Sequence, residues 1–256
     1  MAATTSGRGL TDGAAPRLQA DTCGSAGTRE SWCSPTDRAY ARSVSQTPPP
    51  ATDDRVHSTL ATVDWRRMTF DLYRRVRATT DPETAHAMWR ETRDAMFGEH
   101  PASPLLDEDA RDFESLPVPD YDPAWRFRAR IEPAELTAMD VETGTDGIVH
   151  FERLGVVTLA GIGTLDVWSH GGYAGGVFIP VKDASAGKAR GTYGGGRYLL
   201  DTIKGADLGG DDGELVLDFN FAYNPSCAYD PAWACPLAPP GNTVAVPIPV
   251  GEQYDF

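Results

Sequence analysis

The residues best suited to chemistry crowd into one stretch, 183–235. Thr192-Tyr-Gly-Gly-Gly-Arg-Tyr198 follows Lys182-Asp183 and an Ala186-Gly187 turn. Three glycines let a backbone approach a ligand or take positive φ, and Arg197 then offers the fork that holds a carboxylate or phosphate by two parallel hydrogen bonds. This is no Walker loop, because the Lys-Ser/Thr ending is missing. A flexible hairpin turn with an exposed arginine has the same composition. Downstream, Leu215-Val-Leu-Asp-Phe-Asn-Phe221 alternates, so a strand would put Asp218 and Asn220 on one face about 7 Å apart, as half of a site or as a solvated face. Next comes Ala222-Tyr-Asn-Pro-Ser-Cys-Ala-Tyr-Asp-Pro-Ala-Trp-Ala-Cys-Pro236. Its Asn-Pro and Asp-Pro pairs force turns, and Tyr223, Tyr229 and Trp233 make it too aromatic for a free loop.

Three functions can be built from this stretch. In a binding module, placed first, Arg197 pairs with a small anionic metabolite among Asn220, Asn224, Tyr229 and Trp233, in the mostly apolar setting such pockets have. In an enzyme, Asp183 or Asp218 is a general base, Arg197 stabilises developing negative charge, and Tyr193 or Tyr223 donates a proton; hydrolysis is one such reaction. In a structural domain, Arg197 forms a buried ion pair with Asp183 or Asp218, and function lies at a protein interface. A buried pair with no cleft beside it would favour that third reading.

Other chemistry is disfavoured. Cys227 and Cys235 have seven residues between them, unlike the close spacing of zinc knuckles, and no histidine lies nearby in sequence, so no metal site is expected. Acidic neighbours oppose thiolate formation, so inert buried cysteines are expected in place of a Cys–His nucleophile. No Gly-x-Ser-x-Gly elbow occurs, and nothing indicates a particular cofactor. The formal net charge of −14, with no Lys or Arg after Lys204, argues against nucleic acid or anionic membrane as partner. Met1–Ala20 lacks the apolar run of a signal peptide, so a cytoplasmic location is expected.

The elements that must position these residues read as α+β. Residues 1–60, rich in small polar residues and containing Pro48–Pro50, read as a disordered tail that includes Cys23 and Cys33. Residues 61–103 read as a helical hairpin. Its first helix is capped by Asp64 and carries Trp65, Met68, Leu72 and Val76. Its second begins at Thr80 or Asp81 with Pro82 in the first turn, and stops at Gly98 and Pro101. Residues 104–256 read as β-rich. Trp125-Arg-Phe-Arg-Ala-Arg-Ile131 alternates, with Arg126, Arg128 and Arg130 outward, to be satisfied by opposite charges on a neighbouring strand. Further strands are expected at Ile148–Arg153, Val156–Ala160, Thr164–Trp168, Gly176–Val181, Arg197–Ile203 and Glu214–Phe221. Pro247 and Pro249 would confine one at Val244–Val250 to an edge. Seven or eight short strands predict an antiparallel sandwich or small barrel.

The chain also resembles a bacterial family of unknown function, numbered 1684, over roughly residues 63–254. The carrying motifs are His100-Pro-Ala-Ser-Pro-Leu105, Tyr121-Asp-Pro-Ala-Trp-Arg-Phe127, Thr192-Tyr-Gly-Gly-Gly-Arg-Tyr-Leu199, Asp218-Phe-Asn, Ala222-Tyr-Asn-Pro225, Cys227-Ala-Tyr229, Cys235-Pro-Leu237, Val246-Pro-Ile248 and Gly251-Glu252. It departs from the family pattern twice. An Asp-x-Thr-x-Gly turn is here Asp183-Ala-Ser-Ala-Gly187, and a Glu-Asn pair after prolines is here Gly241-Asn242. The resemblance implies membership and that the polar clusters belong together; it implies no activity.

Overall fold

A computed structural model of the protein describes residues 52–143, 147–172 and 175–254; most of the expected tail, with Cys23 and Cys33, lies outside them. Helix α1 (Asp53–Ala78) starts earlier than Asp64, where the first helix was expected, and so takes in the last residues of the expected tail. The Thr52 side chain accepts from the Arg55 amide at 3.3 Å. Asp53 and Asp54 lie in the first turn and Arg75 and Arg77 in the last, as the helix dipole favours. Residues 53–64 bury no side chain, so no apolar periodicity betrays their helicity. Helix α2 (Pro82–Glu99) is as expected: the Asp81 carboxylate accepts from the Thr84 amide at 3.0 Å. A single turn, α3 (Asp107–Arg111), follows.

Among the described residues seven antiparallel strands form two sheets. β2 (Ala138–Thr143), β3 (Gly147–Leu159), β4 (Gly163–His170), β5 (Gly176–Val181) and β6 (Arg197–Asp201) lie in sequence order in one, while β1 (Arg126–Arg130) pairs with β7 (Glu214–Asp218) in the other. Together with the helices this is a sandwich-like α+β fold. The two strands expected on either side of Leu154 are one long strand, β3, with a register shift between Arg153 and Gly155. That bulge reverses which face odd-numbered residues take: Phe151 joins a small cluster with Trp168, Phe178 and Tyr198, whereas Val157 and Leu159 join the main core. Gly155 is required there, because a Cβ would run into the Glu132 carbonyl and come within 2.8 Å of the Ile131 side chain where β1 ends against β3.

The main core is fully buried at Trp89, Val157, Leu165, Val167, Ile179, Leu217, Phe219 and Ile248, so α2, both sheets and the C-terminal segment share it. On the outer face of β1 the three arginines meet acids from the β7 side, as alternation predicted. Arg126 lies 2.9 Å from Asp218, Arg128 lies 3.3 Å from Glu214 and also pairs with Asp211, and Arg130 lies 3.7 Å from Glu214.

Two expected strands differ. β7 ends at Asp218, and Phe219–Phe221 form a 3-10 turn whose first free amide, that of Asn220, is capped by the Asp218 carboxylate at 3.1 Å. Asp218 and Asn220 therefore do not share a strand face. Residues 244–250 form no strand. The two prolines remove the donors a ladder needs, and the segment is held by side chains instead.

Candidate functional site

The polar cluster is organised around that proline-spaced segment. Between Pro247 and Pro249 the sole amide proton is that of Ile248, and it donates to Asp183 Oδ2 at 2.8 Å. The same oxygen accepts from the Ser185 hydroxyl at 2.6 Å and the Ser185 amide at 3.2 Å, and Oδ1 accepts from the Thr192 hydroxyl. Ser185 thus supplies a hydroxyl to this turn. Arg197 serves the carbonyls: Nη1 donates to Val250 O at 2.5 Å and Glu252 O at 3.1 Å, and Nη2 to Ile248 O at 3.2 Å. Its Nη2 lies 3.9 Å from Asp183 Oδ1.

Both residues are sealed, Arg197 at 1% exposed and Asp183 at 4%. Burial pulls the Asp183 carboxyl up, but bonds from Ser185, Thr192 and Ile248 and the charge of Arg197 outweigh it, and the group sits below its ordinary value. Burial lowers Arg197 to about 10, so it stays charged at neutral pH. The glycine run serves packing within the chain. Gly196 takes φ of 90°, and a Cβ there would come within 2.8 Å of the Val181 carbonyl and 2.9 Å of Ala238.

A second cluster surrounds Asp218, itself fully buried. Oδ2 accepts from Arg126 at 2.9 Å and from the Tyr121 hydroxyl at 3.2 Å, and Oδ1 from the Asn220 amide nitrogen Nδ2 at 2.8 Å. Desolvation outweighs these bonds and raises its pKa. The Asn220 side chain is engaged by the Asp122 backbone, donating to the carbonyl and accepting from the amide, both at 2.9 Å. Its own carbonyl accepts from His86 Nε2 at 3.0 Å.

A third cluster is one that inspection of the sequence did not assemble. Glu252, fully buried, accepts from Arg93 at 2.7 Å and from the Asn224 amide and side chain at 3.2 and 3.1 Å. The Arg93 guanidinium lies 4.9, 5.0 and 5.1 Å from the ring centroids of Trp89, Phe97 and Tyr223. The spacing Trp89, Arg93, Phe97, one step of four apart, was a legible sign that one face of α2 sandwiches a cation between aromatics.

Tyr223 and Tyr229 are inward, Tyr229 edge-on to Phe97 at 5.0 Å, whereas Trp233 is 49% exposed, so the three do not form one wall. Burial raises the Tyr223 hydroxyl well above its ordinary value. Tyr193, pushed up to about 12 by burial first and then by Cys227, donates to the Cys227 carbonyl at 3.3 Å. Both phenols stay protonated at neutral pH. A depression of about 280 Å³ between α1 and α2 is lined by Arg67, Met68, Asp71, Leu72, Arg75 and Thr92. A cleft of about 70 Å³ lies beside Val76, Pro82, Arg126 and Phe221. Arg197 and Asp183 line neither. Among the described residues no group of three or more His, Cys, Asp or Glu could hold a metal ion, and no helix is long and apolar enough to cross a membrane.

The fold and its locked C-terminal segment thus define a class: a sandwich-like domain whose polar motifs satisfy its own backbone. The chain belongs to the family described as protein of unknown function (DUF1684), which it matches over residues 111–253, so the match begins within α3 and omits the hairpin. It is similar to the solution NMR structure of an uncharacterized protein of Haloarcula marismortui, with 32% identity, a TM-score of 0.50, and 68% of this chain and 95% of that chain covered. No curated protein matches the chain.

Proposed function

We propose that this chain is an interaction module that pairs with a second copy of itself through the N-terminal half of α1. The observation that carries this reading is a stripe. Val56, Leu60, Val63 and Phe70 are 45%, 59%, 37% and 49% exposed. They fall on alternating four- and three-residue steps along one helix face, with Arg67 in the remaining place. Val56, Ser58, Thr59, Thr62 and Val63 are mediocre helix formers, so a bare helix of this composition gains much from a covering partner. Antiparallel pairing about Leu60 and Val63 sets Asp53 and Asp54 of one copy near Arg66 and Arg67 of the other, and opposes the two helix dipoles.

The clusters around Arg197 and Asp218 support the same choice. A small anionic metabolite needs a reachable guanidinium, yet that of Arg197 is taken up by three carbonyls. Acid–base chemistry needs a carboxylate open to substrate, yet Asp183 and Asp218 are both occupied by internal donors. The test is the mass of the full chain in solution by light scattering after gel filtration. A dimer that becomes a monomer in Leu60→Lys/Val63→Glu, with its circular dichroism retained, supports the reading. A wild-type monomer at concentrations up to about 0.1 mM sinks it.

A further inference from the structure

Cys227 lies in the 3-10 turn Ser226–Ala228, and the chain then folds back on itself. Tyr229 anchors the bend against Phe97, the Asp230 side chain accepts from the Ala232 amide at 2.8 Å, and the Trp233 amide donates to the Asp230 carbonyl at 3.1 Å. This return sets Cys235 beside Cys227: the Tyr198 hydroxyl donates to the next carbonyl, that of Pro236, at 2.8 Å, Leu237 and the Tyr193 ring both flank Gly195, and the two thiols interact. The Tyr193 hydroxyl lies 3.7 Å from Cys227 Sγ. The acidic neighbours in sequence predict inert buried cysteines; both are instead half-buried, and residues 231–234 beside Cys235 are exposed.

We propose that Cys227 and Cys235 are a redox-active pair, oxidised by a hydroperoxide to an intramolecular disulfide and reopened by a small-molecule thiol. The chemistry runs in two steps. The Cys235 thiolate attacks one peroxide oxygen; the S–O bond forms, the O–O bond breaks, and the departing alkoxide or hydroxide takes a proton from solvent. Cys227 then loses its thiol proton and attacks the Cys235 sulfur, the S–S bond forms, the S–O bond breaks, and water leaves. Two thiols have given two electrons to one hydroperoxide. Two equivalents of an external thiol reverse the result by exchange, leaving as their own disulfide.

The surroundings assign the order of events. The Cys235 sulfur accepts from the Cys227 thiol and the Cys227 amide and lies near the Lys204 charge, which together outweigh its burial and hold it below the ordinary thiol value. The same contact, first, and then burial push Cys227 up, so it keeps its proton until the second step. Among the described residues no third His, Asp or Glu joins the pair in a metal-holding set.

The experiment is peptide mapping of the folded full chain after peroxide. No Lys or Arg follows Lys204, so trypsin leaves both cysteines in the single peptide 205–256. That peptide should lose two hydrogens in mass on oxidation and regain them with dithiothreitol. In Cys227→Ser, Cys235 should stop at the sulfenic acid and be trapped by dimedone. In Cys235→Ser, oxidation of Cys227 within that peptide should be about tenfold or more slower than oxidation of the wild-type pair. The proposal is overturned if the wild-type peptide keeps its mass under peroxide that oxidises a free model thiol. It is equally overturned if that peptide goes straight to sulfinic acid. The wild-type readout needs no variant to fold.

Discussion

Arg197→Met is the most informative perturbation, because methionine roughly preserves volume and removes only the guanidinium. The structure sets the expected cost. The carbonyls of Ile248 and Glu252 lose their side-chain donor, and that of Val250 keeps only Gln253 Nε2 at 3.2 Å, in a site where Arg197 is 1% exposed. A buried acceptor left without a partner costs about 1–3 kcal/mol, and removing one partner of a buried ion pair costs about 3–5 kcal/mol. These terms overlap and do not add. Asp183 also keeps its bonds from Ile248, Ser185 and Thr192, and at 3.9 Å its direct contact with Arg197 is loose. The expected loss is therefore about 3–5 kcal/mol, which for a domain of this size lowers the melting temperature by roughly 6–20 °C. The assay is urea unfolding of the full chain, with an unchanged slope as the sign that only stability moved. Arg197→Lys should recover little, since one ammonium cannot serve three divergent carbonyls. A variant within about 1 kcal/mol of wild type would refute the reasoning. So would an anionic ligand that protects wild type but not a stably folded variant, because Arg197 would then belong to a pocket.

Two further outcomes follow from burial. His86 is lowered from 6.5 to about 4, chiefly by desolvation, and stays neutral in the fold. The unfolded chain then binds the extra proton first, so stability should fall as pH drops from about 6.5 towards about 4, by about 3 kcal/mol from this group. Asp218 and Glu252, both raised by burial, oppose this trend on acidification. Comparison of wild type with His86→Gln by urea unfolding at several pH values isolates the histidine, and parallel profiles would contradict the assignment. At position 241 a Cβ would collide with the Asp166 carboxylate, which pairs with Arg153 at 3.2 Å. Gly241→Glu should therefore cost about 1–3 kcal/mol, and Asp166→Ala in the same chain should restore part of it by letting the introduced carboxylate take over Arg153; a simple sum of the two losses would show that the space is not shared.

What could be read from the sequence was what local physics announces. Asp81 and Pro82 mark the start of α2, and the alternation from Trp125 to Ile131 gives β1 and its arginine face. The first half of α1 buries nothing, so it leaves no periodic trace. β2 escaped because Ala138-Met-Asp-Val-Glu-Thr143 has few strand-forming residues, and its order depends on pairing with β3, where Asp140 meets His150 at 2.6 Å. The alternation around Asp218 and Asn220 was real in sequence, but a carboxylate that caps the next turn ended the strand. A buried pair of Arg197 with Asp183 is one of the arrangements the sequence offers. Its reason was not legible, because the need comes from a segment some fifty residues away in the chain, whose prolines leave backbone groups for side chains to satisfy.

The distribution of roles across the family-like motifs separates scaffold from chemistry. Asp183, Thr192, Arg197, Asp218, Asn220, Asn224, Ile248 and Glu252 bond to one another or to each other's backbone, and their burial leaves them little contact with solvent. Such residues fix the path of a chain whose C-terminal segment cannot build a ladder, so a match to them identifies the fold without identifying a ligand. Cys227 and Cys235 differ. The Cys227 sulfur lies 3.7 Å from the Tyr193 hydroxyl, the two thiols interact, and both lie half-buried beside an exposed loop. A thiol pair is a liability at a surface if packing is all it provides, because either sulfur is open to oxidation. Of the residues that carry the resemblance, these two are therefore where reactivity, as opposed to architecture, is to be sought.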